Sequence, residues 1–324
     1  MRRESGVPKI AAAFLGMVLT EVHVGTIRVA SAPISWGVCE IPGWGPQLRW
    51  ERVLDEMSQA GYEGTELGPW GFLPADPHRL QDALRARGLQ LVAAFVPLPL
   101  RDPESFGRAE VEVRRTSELL ARCGGSCVVF ADAGDEARAQ AAGRVELTRT
   151  CGLAPDEWPG YGERASRLAR LVRQAYGLQV AFHPHGGTYV ENPEEVEALL
   201  SQTDPEVVGL CLDTGHLLFG GGDPVEVARR HAARINHVHL KDVDVPRLRQ
   251  LLAQGLAYAE VAKQGTFVEL GCGSVDLPAI AGCLQAAGYR GWLVVEQDRV
   301  VTEDTDTLAS AARNRDYVRR VFGV

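Results

Sequence analysis

The sequence predicts a TIM barrel, a closed ring of eight parallel strands surrounded by helices. From about residue 26 onward, eight short runs rich in β-branched residues alternate with amphipathic segments of helical length. Strands that alternate with helices favour a parallel sheet. Because no Gly-x-Gly-x-x-Gly turn follows the first run, a closed (β/α)8 barrel is a better prediction than an open doubly wound sheet. We expect residues 26–324 to form one barrel domain, since a chain of this length can bury a single large core.

The predicted strands are apolar runs that end in polar residues or glycine. In chain order they cover residues 27–32, 64–67, 89–95, 127–130, 179–182, 207–212, 234–240 and 292–295. A helix is predicted over 48–60, and another begins near Asp76-Pro77, where Asp can cap the helix and Pro fits its first turn. Gly61 and Gly288 end two helices in similar Ala-Gly-Tyr segments, as left-handed caps. Residues 133–162 are the longest irregular stretch, which we interpret as an insertion over the barrel mouth.

Residues 1–25 are predicted to be an N-terminal extension. Arg2-Arg3 and the apolar residues 10–19 imitate a secretion signal, but no convincing cleavage site follows them. Met17 is an alternative start. No stretch approaches the 18 unbroken apolar residues typical of a membrane span, so no membrane partner is expected. The seven cysteines are odd in number and scattered, which favours a reducing, cytoplasmic location.

The charge balance argues against a nucleic-acid partner. The 34 Lys and Arg residues are outnumbered by 42 Asp and Glu residues, and the formal net charge is -8. A chain of this composition has no excess of cationic side chains to neutralise phosphates. We therefore expect a small-molecule partner.

Polar side chains follow six of the predicted strands. In chain order they are Ser35-Trp36, Glu66, His183 with His185, Asp213, His239 and Glu296. The carboxyl ends of barrel strands surround the active site, so carboxylates and imidazoles meet there. Burying them together would be costly without a counter-ion, and a divalent cation would offset that cost. Mixed nitrogen and oxygen ligands suit Mn, Co, Fe or Zn better than Ca or Mg.

Two details of this pattern remain open to interpretation. Asp213-Thr214-Gly215 also fits a turn in which Asp caps a helix. Alternation along the seventh strand places His237 and His239 on one face, and His239, nearer the strand end, is the better ligand candidate. Lys241 then points inward as well, toward a substrate.

The chain resembles the xylose-isomerase-like TIM barrels over about residues 26–321. The motifs that carry the resemblance are residues 212–216 (LDTGH), 237–242 (HVHLKD), 271–276 (GCGSVD) and 291–296 (GWLVVE). This superfamily includes sugar epimerases, inosose dehydratase and endonuclease IV. Residues 31–37 (SAPISWG), 65–71 (TELGPWG) and 182–188 (FHPHGGT) look most like the inosose dehydratase branch.

The resemblance implies a metal set of His183, Asp213, His239 and Glu296. His183 stands where epimerases carry Glu, so a two-carboxylate proton shuttle is disfavoured. For endonuclease IV, His216 matches one of the additional histidines, but no Asp-x-His follows Lys241.

The expected function is therefore a metal-dependent lyase of carbohydrate metabolism that dehydrates a polyhydroxylated ketone, with a metal-stabilised enolate. Lys241 or His185 is the expected base and His216 the acid that protonates the leaving hydroxide. Glu66 and Trp36 are expected to contact the substrate. A sugar isomerase or epimerase with the same metal site is the alternative, followed by a non-catalytic sugar-binding barrel. A homodimer is possible.

Overall fold

Nine short parallel strands form the central sheet of the computed structural model, which describes residues 26–302 and 304–324. The nine strands are β1 (Arg28–Ser31), β2 (Gly64–Thr65), β3 (Gln90–Leu91), β4 (Ala93–Leu98), β5 (Cys127–Asp132), β6 (Gln179–Phe182), β7 (Gly209–Asp213), β8 (Ile235–Leu240) and β11 (Trp292–Val295). Two further strands, β9 (Asp242–Val243) and β10 (Phe267–Val268), pair antiparallel beside them. The predicted extension over residues 1–25 lies outside the described residues.

The sheet closes on itself through one extended segment. Its strand order is β3, β2, β1, β11, β8, β7, β6, β5, β4. The two edge strands, β3 and β4, are separated by Val92 alone, so both edges belong to the same stretch of chain. Eight strand segments therefore surround the core, which confirms the predicted (β/α)8 barrel and rules out the open sheet.

Helices cover the outer face of the ring. They are α1 (Trp50–Gln59), α2 (Pro77–Arg85), α3 (Phe106–Arg122), α4 (Glu136–Ala141), α5 (Val145–Thr150), α6 (Trp158–Tyr176), α7 (Pro193–Gln202), α8 (Thr214–Phe219), α9 (Pro224–Arg230), α10 (Val245–Ala253), α11 (Tyr258–Lys263), α12 (Leu277–Ala286) and α13 (Thr307–Phe322). Within the described part of the chain, no helix is long and apolar enough to cross a membrane.

Local sequence signals explain how several helices begin and end. The Asp76 carboxylate accepts the backbone N–H of Arg79, and Pro77 opens α2, which confirms the predicted start. Gly61 and Gly288 have φ values of 85° and 65°, the left-handed conformation that glycine adopts without a Cβ clash. Both predicted glycine caps are therefore confirmed.

The two faces of the strands have different roles. Val238 and Leu240 of β8 pack in the large apolar cluster shared with the helices. His237 and His239 alternate with them and so face the interior of the ring. That interior is packed largely with small side chains, which leaves room for polar groups at the mouth: Ala30, Ala93, Cys127, Ala181 and Cys211 are examples.

The segment 133–162 differs from its prediction as an irregular stretch. It contains α4, α5 and the start of α6. The first two helices have six residues each, too few to show a clear helical period in the sequence. Arg138 of α4 is fully buried and donates to the Thr188 carbonyl oxygen and the Glu195 carboxylate. These bonds attach the segment to α7 and to the loop after β6, which carries His183 and His185.

Candidate active site

Four buried side chains converge at the carboxyl ends of neighbouring strands. His183 follows β6, Asp213 ends β7, His239 lies near the end of β8 and Glu296 follows β11. Each offers one ligand atom, and these atoms all lie within 4.8 Å of one another. His183 Nε2 is 3.0 Å from Asp213 Oδ2. The structure therefore brings together the four residues that the resemblance implies as metal ligands.

Asp213 has two roles, because its two carboxylate oxygens face different groups. Oδ1 accepts the backbone N–H of His216 at 2.7 Å and caps α8. Oδ2 faces His183 and His239 inside the site. Capping and ligation are thus compatible interpretations of Asp213.

His239 presents an unpartnered nitrogen to two carboxylates. Its Nε2 bonds to Glu66 Oε1 at 2.9 Å, whereas its buried Nδ1 has no hydrogen-bond partner among the residues that the structure describes. Nδ1 lies 3.2 Å from Glu296 Oε2 and 3.6 Å from Asp213 Oδ2. Burial would lower the pKa of His239, but the acidic groups around it, Cys211, Glu296 and Glu66, raise it well above its usual value. A positive charge at this point, from a proton or a metal ion, is therefore strongly favoured.

The charge balance of the site also fits a divalent cation. Three buried carboxylates, those of Asp213, Glu296 and Asp298, surround the ammonium group of Lys241, the only Lys or Arg that contacts them in the described part of the chain. A fourth buried carboxylate, Glu66, contacts His237 and His239. Burial would raise the pKa of these carboxyls, but the imidazoles and Lys241 hold it below the ordinary value. The carboxylates thus outnumber the cationic side chains beside them, and unbalanced charge is costly in a buried site. The residues present fit a bound divalent ion.

Lys241 points into the same site. Its Nζ lies 2.8 Å from Asp298 Oδ1, 3.1 Å from Glu296 Oε2 and 3.5 Å from Asp213 Oδ2. Burial alone would lower the pKa of Lys241, but Asp213, Asp298 and Glu296 raise it well above its usual value. These ion pairs favour the ammonium form of Lys241, which donates hydrogen bonds.

His185 and His216 form a stacked pair beside Lys241. Their ring centroids are 4.0 Å apart with an angle of 30° between the planes. His185 Nδ1 lies 2.9 Å from the Gly186 carbonyl oxygen, which can only accept, and the Gly186 N–H donates to His216 Nδ1 at 3.1 Å. A neutral His185 therefore has a bare Nε2, and a neutral His216 carries its proton on Nε2. Burial and the neighbouring His216 hold the pKa of His185 well below its usual value.

Asp298 and Tyr258 belong to the site but did not stand out in the sequence. Asp298 Oδ2 accepts the Tyr258 hydroxyl at 3.2 Å and lies 3.4 Å from His216 Nε2. The Nε2 of His216 is also 3.0 Å from Lys241 Nζ. The Asp298 carboxylate therefore contacts both His216 and Lys241, which are neighbours. Asp298 follows Glu296 by two residues, a spacing that signals a shared face in extended chain. Tyr258 lies on α11, and no sequence signal marks it.

Glu66 and Trp36, the expected substrate contacts, both bond to other side chains in this structure. Glu66 is 2% exposed and accepts hydrogen bonds from His237 and His239. Trp36 is fully buried, and its indole N–H donates to Glu56 Oε2 at 2.8 Å in the layer between barrel and helices. The structure does not bring Trp36 to the other candidate residues.

Comparison with known proteins shows where the chain belongs. The family model described as xylose isomerase-like TIM barrel matches residues 39–319. The rhizopine catabolism protein MocC of Rhizobium meliloti is 38% identical over 274 residues, which cover 85% of this chain and 82% of that protein. An inosose dehydratase of Geobacillus kaustophilus (strain HTA426) is 33% identical over 279 residues, covering 86% and 90%.

A solved structure shares the fold at lower identity. The structure described as IOLI protein with a binding zinc atom superimposes with a TM-score of 0.68 and 16% sequence identity, covering 91% of this chain and 98% of that one. At this identity the likeness supports the fold alone. Together with the family match and the two relatives, it confirms the resemblance carried by the sequence motifs. The chain is an enzyme of the xylose isomerase-like TIM barrel family.

Proposed function

We propose that this enzyme is a divalent-metal-dependent lyase that removes water from a polyhydroxylated ketone, as in inosose dehydration. The observation that carries the proposal is the stacked pair of His185 and His216, in which the same glycine sets opposite tautomers. Dehydration needs a base and an acid side by side, and this pair supplies both. The relatives named inosose dehydratase support the choice of substrate class.

His183, Asp213, His239 and Glu296 would hold the metal ion. Two imidazoles and two carboxylates suit Mn, Co, Fe or Zn. When bound, such an ion stabilises negative charge that develops on a carbonyl oxygen. The unpartnered Nδ1 of His239 and the unbalanced carboxylates are the features of this chain that support the assignment.

The chain's own residues account for the proton movements. His185 accepts the proton from the carbon beside the carbonyl at its bare Nε2, and the electron pair left behind forms an enolate. That pair then expels the hydroxyl on the next carbon, and His216 Nε2–H protonates it so that water leaves. The proton that His185 accepted passes to His216, which returns both rings to the neutral form. The first product is an enol of a dione.

In this scheme Lys241 is a hydrogen-bond donor and not the base. Its ion pairs with Asp298 and Glu296 favour a permanent ammonium group. In the proposal it donates a hydrogen bond to substrate oxygens and offsets charge during enolate formation. Since a neutral His185 has no proton on Nε2, where only the Tyr258 hydroxyl lies at 3.5 Å among the described residues, it is the better base of the two that the sequence offered.

Metal removal and return test this proposal. Protein treated with a chelator and dialysed should lose inosose turnover, and addition of Mn²⁺, Co²⁺, Fe²⁺ or Zn²⁺ should restore it. Untreated protein carried through the same dialysis without the chelator is the control. Full turnover after complete metal removal would show that the proposed chemistry is wrong.

A further inference from the structure

We infer that Glu66 is a positioning residue that orients His239 for metal binding, and that His237 is the second donor that keeps Glu66 in place. The inference rests on the proposed metal-dependent function and adds a supporting pair of residues to it. It also replaces the expectation that Glu66 contacts the substrate.

Glu66 lies between two imidazoles of β8. Its Oε1 is 2.8 Å from His237 Nε2 and 2.9 Å from His239 Nε2. The side chains of all three residues are at most 3% exposed. Glu66 is thus a buried carboxylate stabilised by two neighbouring N–H groups.

The bond to Glu66 determines which nitrogen of His239 is free. A carboxylate oxygen only accepts, so the ring proton of a neutral His239 lies on Nε2. Nδ1 is then bare and faces Asp213 and Glu296 at 3.6 and 3.2 Å. A carboxylate that accepts the second N–H of a ligand histidine fixes the tautomer and ring orientation of that histidine and makes it a stronger metal ligand. Glu66 occupies this position relative to His239.

The path of the chain shows that this contact is specific to the closed barrel. Glu66 follows β2, whereas both histidines lie on β8, and β1 and β11 separate the two strands in the ring. Glu66 therefore reaches across the interior. His237 and His239 are two residues apart on one face of β8, with ring centroids 5.2 Å apart, so a single oxygen can accept from both.

The test is the affinity of the full-length, metal-free protein for Mn²⁺ alone, measured by titration calorimetry. Glu66→Gln keeps the size of the side chain and removes its charge, and we expect Mn²⁺ to bind about 10- to 100-fold more weakly. Glu56→Gln is the matched control, because Glu56 is a buried carboxylate that bonds to Trp36 and Thr307 away from the site. We expect this control to bind Mn²⁺ like the unaltered protein.

The possible results separate this inference from the function it rests on. Absence of Mn²⁺ binding by the unaltered protein overturns both. Equal affinity of Glu66→Gln and the unaltered protein overturns the inference alone, as does a raised KM with unchanged Mn²⁺ affinity, which would return Glu66 to a substrate-contact role. Equal weakening in Glu56→Gln also overturns it, since the effect would then be general.

A second measurement does not depend on the folding of a variant. In protein labelled with ¹⁵N-histidine and loaded with Zn²⁺, the His239 ring should show a coordinated Nδ1 and a protonated Nε2. Coordination through Nε2, or a ring that binds no Zn²⁺, contradicts the inference.

Discussion

The rings of His185 and His216 stack with centroids 4.0 Å apart, yet their hydrogen bonds to Gly186 run in opposite directions. The carbonyl of Gly186 orients one ring and its N–H orients the other. Two neighbouring imidazoles of the same intrinsic acidity can therefore take different parts in a proton transfer. The first prediction follows from this asymmetry.

Replacing each histidine by glutamine should separate the two halves of the reaction. Loss of either imidazole should reduce dehydration about 10²- to 10⁴-fold, the usual contribution of a positioned acid or base. In heavy water, His216→Gln should still exchange the substrate proton beside the carbonyl, because His185 remains, whereas His185→Gln should not. Both variants should keep the metal content of the unaltered protein. Equal exchange in the two variants would contradict the assigned roles.

Asp213→Asn should remove the metal without unfolding α8. Asparagine caps helices about as well as aspartate, so the bond to the His216 N–H can persist while the ligand charge is lost. We expect the metal content after dialysis to fall to a small fraction and turnover to fall with it. Asp276→Asn, the same change at the cap of α12, is the control and should keep both. An Asp213→Asn protein with full metal content would exclude Asp213 as a ligand.

The pH dependence of stability should reveal the buried state of His183 in the metal-free protein. Burial lowers the pKa of His183 to about 4 from its usual 6.5. As the pH falls, His183 is therefore protonated in the unfolded chain before it is protonated in the folded protein. Its contribution to the free energy of unfolding is intact above pH 6.5 and falls by about 3 kcal/mol as the pH drops to 4. Urea unfolding of unaltered protein and His183→Asn at pH 7 and pH 4 measures the difference.

The comparison with His183→Asn is needed because Glu191 changes the free energy of unfolding in the opposite direction as the pH falls. Burial raises the pKa of Glu191 to about 7, so its protonation adds stability as the pH falls from 7 toward 4.5. This contribution is present in both proteins and cancels in the difference. If the two proteins show the same change between pH 7 and pH 4, His183 is not buried in its neutral form.

Asp298→Asn should reduce turnover more than Tyr258→Phe. Asp298 accepts a hydrogen bond from Tyr258 and lies within 3.4 Å of one nitrogen atom of His216 and one of Lys241. Hydrogen bonds to a charged group contribute about 1.5 to 3 kcal/mol each. We expect a loss of about 10- to 100-fold in kcat for Asp298→Asn with the metal retained. Tyr258→Phe removes one of these bonds and should lose less. A larger effect of Tyr258→Phe would assign the phenol a direct role.

The barrel and the grouping of its candidate ligand residues could be predicted because both depend on short-range signals. The apolar period of each strand, the glycine caps at Gly61 and Gly288, and the polar residue at each strand end are local features. The fold then brings those ends together. For this reason Asp213 and Glu296, far apart in the chain, could be predicted as neighbours.

Other features depend on contacts that no local pattern carries. Trp36 lies on a short 3-10 helix, Pro33–Trp36, which turns it toward Glu56 and away from the mouth. Tyr258 reaches the site from α11, and the orientation of Glu66 toward two histidines of β8 depends on ring closure. Such contacts are set by tertiary packing, so these roles could not be predicted from the order of residues.

Dehydration can be distinguished from isomerisation by following one reaction in heavy water. Metal-loaded protein is incubated with an inosose in deuterium oxide, and both the ultraviolet spectrum and the mass of the product are recorded. We predict a new enol or dione absorbance and a product that has lost one water. Solvent deuterium retained in a sugar that has lost no water would contradict the account and indicate an isomerase or epimerase instead.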